Sequence, residues 1–247
     1  MEFKGKTILV TGASSGIGKA VAVRMDQLGA NVILVARKKE ALSTLKQKMQ
    51  NSCKYICYDL ADVEHIEDIF VEAAAIGKLD GYVHCAGICN INPIKHVEPQ
   101  ELEKMLNVNA LSFFQMSRQF SKAKYSNKGA SIVGMSSIAA IAMEPGMCAY
   151  AMSKAAINTQ IRIMAKEFVK RGIRVNAVMP AQVESKMGVQ DNIWTDEELE
   201  EVRGYQPLGA IPIEQVVNCI EFLLSDKQAG YITGECIAIT GGYRSNY

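Results

Sequence analysis

The sequence predicts an α/β fold in which a parallel sheet is covered by helices on both faces, and three observations predict it. Short, continuous apolar runs alternate along the chain with segments of helical spacing. Strands apolar on both sides are buried on both faces, the arrangement that parallel crossover connections produce. The first such run ends in glycines and passes directly into a helical segment. Finally, 247 residues at 49% hydrophobic content suffice for one continuous core. No linker, repeat or low-complexity segment interrupts the pattern, so one domain over residues 1–247 is expected.

Taken in order, Thr7 to Val10 reads as a buried strand. It runs through Thr11-Gly12-Ala13-Ser14-Ser15-Gly16-Ile17-Gly18 into a helix reaching Leu28, with Ile17, Val21, Met25 and Leu28 on its apolar side. Asn31–Ala36 is a second strand, followed at once by Arg37-Lys38-Lys39 and a helix to about Asn51. Lys54 to Tyr58 forms a third strand ending at Asp59. Asp62 is placed to cap a helix whose stripe is Val63, Ile66, Ile69, Phe70 and Ala73. Tyr82 to Cys85 is a fourth strand closed by Ala86-Gly87, and Pro99 to Ser121 reads as one helix. Ser131 to Met135 is the fifth strand, Ala149 to Arg171 the longest helix, and Arg174 to Val178 the sixth strand. After Pro180 the pattern breaks up, except that Thr195-Asp196-Glu197-Glu198 is a capping box that should open a short helix. A helix from Ile213 to Ser225 and a strand Ile237–Ile239 complete the chain.

The bulk numbers narrow the function. A net charge of +1 argues against a nucleic-acid surface, which shows a basic excess or stripe. No apolar run approaches a membrane span and the N-terminus lacks the apolar region of a signal peptide, so a cytoplasmic protein without membrane contact is expected. The seven cysteines are an odd number scattered through predicted strands and helices, as expected of reduced thiols. Cys53/Cys57 and Cys85/Cys89 lack His or Cys partners at zinc-ligand spacing, so no metal site is expected.

In parallel sheets, ligands bind beyond the carboxyl ends of the strands where strand order reverses, which makes the residues just after strands the first candidates. A strand that ends in glycines and becomes a helix offers backbone N–H groups at the positive end of a helix dipole, a setting suited to phosphate. Gly12 permits the tight turn, Gly16 close approach of a ligand, and Gly18 close packing of the helix. An NAD-preferring dinucleotide fold places an acid about twenty positions past the glycines. Here that place is held by Ala36 with Arg37 next. A guanidinium pairs with a 2′-phosphate through two parallel hydrogen bonds, so NADP(H) is expected over NAD.

Tyr150 and Lys154 lie four apart at the start of the long helix and project from one face. A phenol with an ordinary pKa of about 10 is a poor acid–base catalyst near neutrality, and an adjacent ammonium is expected to lower it. Ser136 and Ser137 end the fifth strand upstream, where a hydroxyl can meet a substrate oxygen.

Thr11-Gly12-x-x-x-Gly16-Ile17-Gly18, Asp59-Leu60, Cys85-Ala86-Gly87, Asn107-Val108-Asn109, Ser136-Ser137, Tyr150-Ala151-Met152-Ser153-Lys154, Arg174-Val175-Asn176 and Ile232-Thr233-Gly234 appear in this order. With these marks the sequence resembles the short-chain dehydrogenase/reductase family along essentially its whole length. The resemblance implies a seven-stranded parallel Rossmann sheet and hydride transfer between a nicotinamide nucleotide and a carbonyl or alcohol. It implies that Tyr150 is the acid–base residue and that Lys154 holds the nicotinamide ribose and tunes Tyr150. Ser137, ahead of Ser136, would polarise the substrate oxygen, and Asn109 would fix a water in the proton relay. The implied cofactor-binding set is Gly12, Ser14, Ser15, Gly16, Ile17, Gly18, Arg37, Asp59, Leu60, Ala86, Gly87, Tyr150, Lys154, Val183 and Ser185. Within it, Asp59 meets the adenine amino group, and Val183 and Ser185 meet the carboxamide.

The chain departs from the family pattern at His84, where asparagine is usual, at Ala181, where glycine is common, and at Thr240. His84 reads as a hydrogen-bonded core histidine, since it lies on a strand. The segment from about 186 to 213 is expected to cover the site as a lid. Met187, Val189, Ile193 and Trp194, with Ile138, Met143 and Cys148, are the candidate apolar lining. The most similar members are reductases of 3-oxoacyl-acyl-carrier proteins, so a thioester-linked ketone is one candidate substrate and a sugar, steroid or secondary-metabolite ketone another. A carrier protein would need a basic docking patch, for which Lys124, Lys128, Lys170 and Arg171 are the candidates, although the net charge of +1 speaks against it. A non-catalytic nucleotide sensor would have lost Ser137, Tyr150 or Lys154, and all three are present. The resemblance also implies a homotetramer or homodimer, supported in the residues by the apolar faces around Phe113, Phe114, Met116 and Phe120.

Overall fold

The computed structural model describes residues 2–142, 144–185 and 195–244. Seven strands, β1 (Thr7–Thr11), β2 (Asn31–Ala36), β3 (Cys53–Cys57), β4 (Leu79–His84), β5 (Ser126–Met135), β6 (Arg174–Pro180) and β7 (Cys236–Ile239), pair in parallel in the order β3-β2-β1-β4-β5-β6-β7. The order reverses between β1 and β4, where Thr11 stands opposite His84. The α/β class, the parallel pairing and the seven strands are as expected.

Alternation along each strand divides the core. Ile8, Val10, Val32 and Leu34 face one layer, with Val21 and Met25 of α1 (Gly16–Gln27), Leu42 and Leu45 of α2 (Lys39–Lys46), and Val216, Ile220 and Leu223 of α9 (Ile213–Leu224). Leu9, Ile33 and Val35 face the other, with Ile69 and Phe70 of α3 (Glu67–Ala73), Phe113, Met116 and Phe120 of α5 (Ser112–Phe120), and Ile157 and Ile161 of α7 (Cys148–Phe168). A strand with apolar residues on both sides needs this double cover. Among the described residues no helix is long and apolar enough to cross a membrane.

Several helix bounds differ from the sequence expectation, each for a local reason. The helix from Lys39 ends at Lys46 instead of near Asn51. The buried Asp26 carboxylate accepts the backbone N–H of Gln50 and Asn51 and turns the chain there. Asp62 takes the N–H of Glu64 and His65, so it closes a turn ahead of α3, which begins only at Glu67. The expected helix from Pro99 to Ser121 is α4 (Pro99–Leu106) and α5 separated by a π-helical turn, Asn107–Leu111. The short helix α6 (Ala139–Ala142) was not foreseen. At Thr195 the capping box is present in full and opens α8 (Asp196–Tyr205). A final short helix, α10 (Asp226–Ala229), precedes β7.

Candidate active site

The glycine turn sits where strand order reverses, and its geometry requires glycine. Gly12 has φ +66°, and a Cβ there would lie 2.8 Å from the Ala86 nitrogen. A Cβ on Gly18 would lie 2.4 Å from the Gly12 carbonyl oxygen, so α1 begins hard against the turn. A Cβ on Gly16, at φ +51°, would point at Ser185 Oγ 3.1 Å away, which brings the segment after β6 over the turn. Val183 is buried and bridged to Ile211, and the Ser185 N–H donates to the Val183 carbonyl at 2.6 Å. Ser15 is the N-cap residue of α1, and its side chain makes no capping bond. The turn, with Ala86-Gly87 and Ser185 close against its three glycines, therefore sits at the N-terminus of α1, a place that suits a pyrophosphate.

Arg37 and Asp59 follow the ends of β2 and β3. Both are exposed, and the guanidinium stands 3.9 Å from the carboxylate. A pair this open contributes about 0–1 kcal/mol, so Asp59 holds the guanidinium only weakly. Leu60 is buried in the adjoining core.

On the other side of the switch, Tyr150 and Lys154 rise from one face of α7, both buried. Lys154 Nζ lies 5.6 Å from the Tyr150 ring centroid and donates to the Met135 carbonyl at 2.8 Å. Ser137 hydrogen-bonds the Tyr150 hydroxyl, and its Oγ also accepts the Ala139 N–H at 3.2 Å. Ser136 instead points into α7, donating to the Lys154 carbonyl, which separates the two adjacent serines. The π-turn carries Asn109. Its Nδ2 donates to the Ile88 carbonyl and to Ser153 Oγ, each at 2.9 Å, while its Oδ1 accepts the Ile88 N–H at 2.8 Å. A Cβ on Gly87 would meet Asn109 Oδ1 at 3.3 Å and Lys154 Nζ at 3.5 Å, so these three groups share one small space.

Burial reverses one electrostatic expectation. Removal from water, with Cys89 nearby, pushes the Tyr150 phenol up from its ordinary value, the hydrogen bond from Ser137 opposing in part. Burial pushes the Lys154 ammonium down to about 8. Burial thus favours the neutral phenol at Tyr150, while the Lys154 charge titrates near 8. His84 reads as foreseen: fully buried, hydrogen-bonded to Thr11 Oγ1 (3.2 Å) and the Tyr82 hydroxyl (2.6 Å), and pushed down to about 3 by burial and by Lys154.

Other expectations need correction. Lys124 and Lys128 stand at the start of β5, and Lys170 and Arg171 precede β6, so all four lie at the amino ends of the strands, opposite the site. Arg171 spends its guanidinium on Ser121 and Ser126, and Lys124 pairs with Glu67 at 2.8 Å. Of the apolar face offered for assembly, Phe113, Met116 and Phe120 are core residues and only Phe114 reaches the surface. Ile138 is half-buried and Cys148 exposed. Met143 and residues 186–194, with Met187, Val189, Ile193 and Trp194, lie outside the described residues. Sequence reasoning assigned no role to Ser153, whose Oγ joins Asn109 to the Tyr150 carbonyl, or to Thr11, whose Oγ1 accepts the Ala86 N–H at 3.3 Å. Ser153 lies one position before Lys154 inside the motif itself.

Comparison with known proteins agrees with this geometry. The sequence model of a family described as enoyl-(acyl carrier protein) reductase matches residues 12–244. The 3-oxoacyl-[acyl-carrier-protein] reductase FabG of Rickettsia felis is 33% identical over 243 residues, 98% of each chain. Its counterpart in Escherichia coli K12 is 30% identical over 244 residues, again 98% of each. Among solved structures, a short-chain dehydrogenase/reductase from Serratia marcescens superposes with a TM-score of 0.89 at 27% identity, covering 98% of this chain and 99% of that one. A blue fluorescent protein from a metagenomic library, solved in complex with NADPH, gives 0.90 at 26% identity with the same coverage. With a glycine turn at the strand-order switch facing a buried Tyr-Lys pair, and with relatives aligned from end to end, the chain belongs to the short-chain dehydrogenase/reductase family of oxidoreductases.

Proposed function

We propose that the protein is an NADP(H)-dependent reductase of a ketone, or the dehydrogenase of the corresponding secondary alcohol. The observation that carries this reading is the convergence of Ser137, Tyr150, Lys154 and Asn109 beside the glycine turn, from the loop after β5, from α7 and from the π-turn. The glycine turn and Ser185 would hold the pyrophosphate, Asp59 the adenine and Arg37 the 2′-phosphate. When bound, the nicotinamide supplies hydride to the carbonyl carbon or takes it from the alcohol.

The chain's own residues do the rest. Ser137 and Tyr150 direct hydroxyl hydrogens at the substrate oxygen, and Tyr150, held neutral by burial, hands its proton over as negative charge develops there. Lys154, fixed by Met135, stabilises the phenolate left behind and reaches a ribose hydroxyl. Asn109 clamps Ile88 and Ser153, and with them the walls of the space beside Lys154. Positioning lowers the barrier as much as proton transfer does.

For reduction, the ammonium of Lys154 must carry its proton. Its value of about 8 lies below the ordinary 10.5, so the charged form prevails below pH 8 and is lost above it. The rate of NADPH oxidation should be flat on the acid side of that point and fall on the alkaline side. A pH–rate profile that rises through pH 8 would contradict the assignment.

Substrate choice is read by a screen of NADPH oxidation against acetoacetyl-thioesters, keto-sugars and steroid ketones, with NADH as the paired control. The full-length similarity to 3-oxoacyl-carrier reductases favours the thioesters. Turnover of every ketone class with NADH in preference to NADPH would overturn the cofactor assignment.

A further inference from the structure

We propose that His84 is a positioning residue, tying the glycine-turn end of β1 to the π-turn that presents Asn109. The inference rests on the role assigned above to the Tyr150–Lys154 site. One edge of the imidazole meets Thr11 Oγ1 at 3.2 Å and the Tyr82 hydroxyl at 2.6 Å through Nδ1. The other edge turns to the start of α5, where Nε2 stands 3.5 Å from Ser112 Oγ, and the Asn109 backbone also hydrogen-bonds the ring. That partner favours the protonated nitrogen, as a carbonyl acceptor does.

The two ends lead to the two halves of the site. Thr11 Oγ1 accepts the Ala86 N–H, and Ala86 is the residue against which Gly12 is packed. Asn109 donates to Ser153 Oγ at 2.9 Å, and Ser153 donates to the Tyr150 carbonyl at 2.7 Å. One buried ring therefore stands between the cofactor-side turn and the base of the catalytic tyrosine, with no link in this path passing through solvent.

A π-turn has the looser bonding of an inserted residue and is found at functional sites more often than in plain helices. Left to itself it would let Asn109 drift. Ser112 Oγ supports it from within by donating to the Val108 carbonyl at 2.6 Å, and His84 supports it from the sheet. An apolar side chain of similar size would fill the space equally well. It would also leave Thr11, Tyr82 and the turn without their shared partner, so packing alone does not account for an imidazole here.

The test compares His84→Leu, His84→Gln and Tyr82→Phe with the parent protein, using NADPH oxidation with acetoacetyl-coenzyme A, NADPH titration and amide hydrogen exchange. His84→Leu should lower kcat about 10- to 100-fold, the scale of a small misplacement of catalytic groups, with little change in NADPH affinity. Exchange should quicken in Asn107–Ser112 while α9 stays unchanged. His84→Gln, which keeps a donor and an acceptor, should recover most of kcat. Parental exchange in the π-turn, or exchange raised equally throughout the molecule, overturns the proposal. Should His84→Leu fail to fold, Tyr82→Phe decides by the same reading: faster exchange confined to Asn107–Ser112 upholds it, and unchanged exchange overturns it. Tyr150→Phe assayed in parallel separates the two ideas. Full activity in that variant defeats the catalytic reading, while hydrogen exchange, which needs no turnover, still decides the role of His84.

Discussion

Tyr150→Phe should reduce kcat by about 10²–10⁴, the range for loss of a general acid–base group, or roughly 3–5 kcal/mol of barrier. The substitution removes one oxygen and little else. The ring stays packed among Met105, Ala139 and Ala149, and Ser137 keeps its bond from the Ala139 N–H. Thermal stability and NADPH affinity should therefore hold while turnover collapses. The hydroxyl matters because burial keeps the phenol protonated, so it has a proton to give. Lys154 donates to the Met135 carbonyl, and His84, pushed down to about 3, is a neutral imidazole at pH 7. A folded Tyr150→Phe protein with near-parental kcat against any substrate found in the screen would refute the role.

Arg37→Asp should weaken NADPH binding by about 1.5–3 kcal/mol, the scale of hydrogen bonds to a charged group, or roughly 10- to 150-fold in Kd. Arg37 is exposed and only loosely paired with Asp59 at 3.9 Å. Its loss therefore leaves no buried charge uncompensated and should not affect folding. The new carboxylate, beside Asp59, would repel a 2′-phosphate. NADH, which lacks that phosphate, should be affected far less, so the ratio of the two dissociation constants reads the effect directly. Equal affinities of parent and variant for NADPH would sink the assignment.

How far the residues foretold this structure depended on range. The glycine turn, the strand alternation and the Thr195 capping box are short-range patterns, and each was legible. The helix expected over Pro99 to Ser121 shows the limit. Its apolar spacing is helical on both sides of Asn109, and the extra residue of the π-turn leaves no mark in a periodicity read over that length. Lys124, Lys128, Lys170 and Arg171 looked like a cluster of cations. Only the direction of β5 and β6 shows that they lie at the far end of the sheet from the site. Phe113, Met116 and Phe120 looked like a surface face for the same reason, since a periodic stripe does not say what covers it.

The sequence by itself determined the parallel sheet, the phosphate-suited turn and the pairing of Tyr150 with Lys154, because each follows from spacing within one strand, one turn or one helix. The tertiary structure decided which polar groups meet across long separations: Asn109 with Ser153 and Ile88, Thr11 with Ala86, and His84 with both sides of the switch. It also decided the sign of the shift at Tyr150. An adjacent cation is visible in the residue order, whereas the removal of water that raises the phenol exists only once α4, α6 and α7 have closed around the ring.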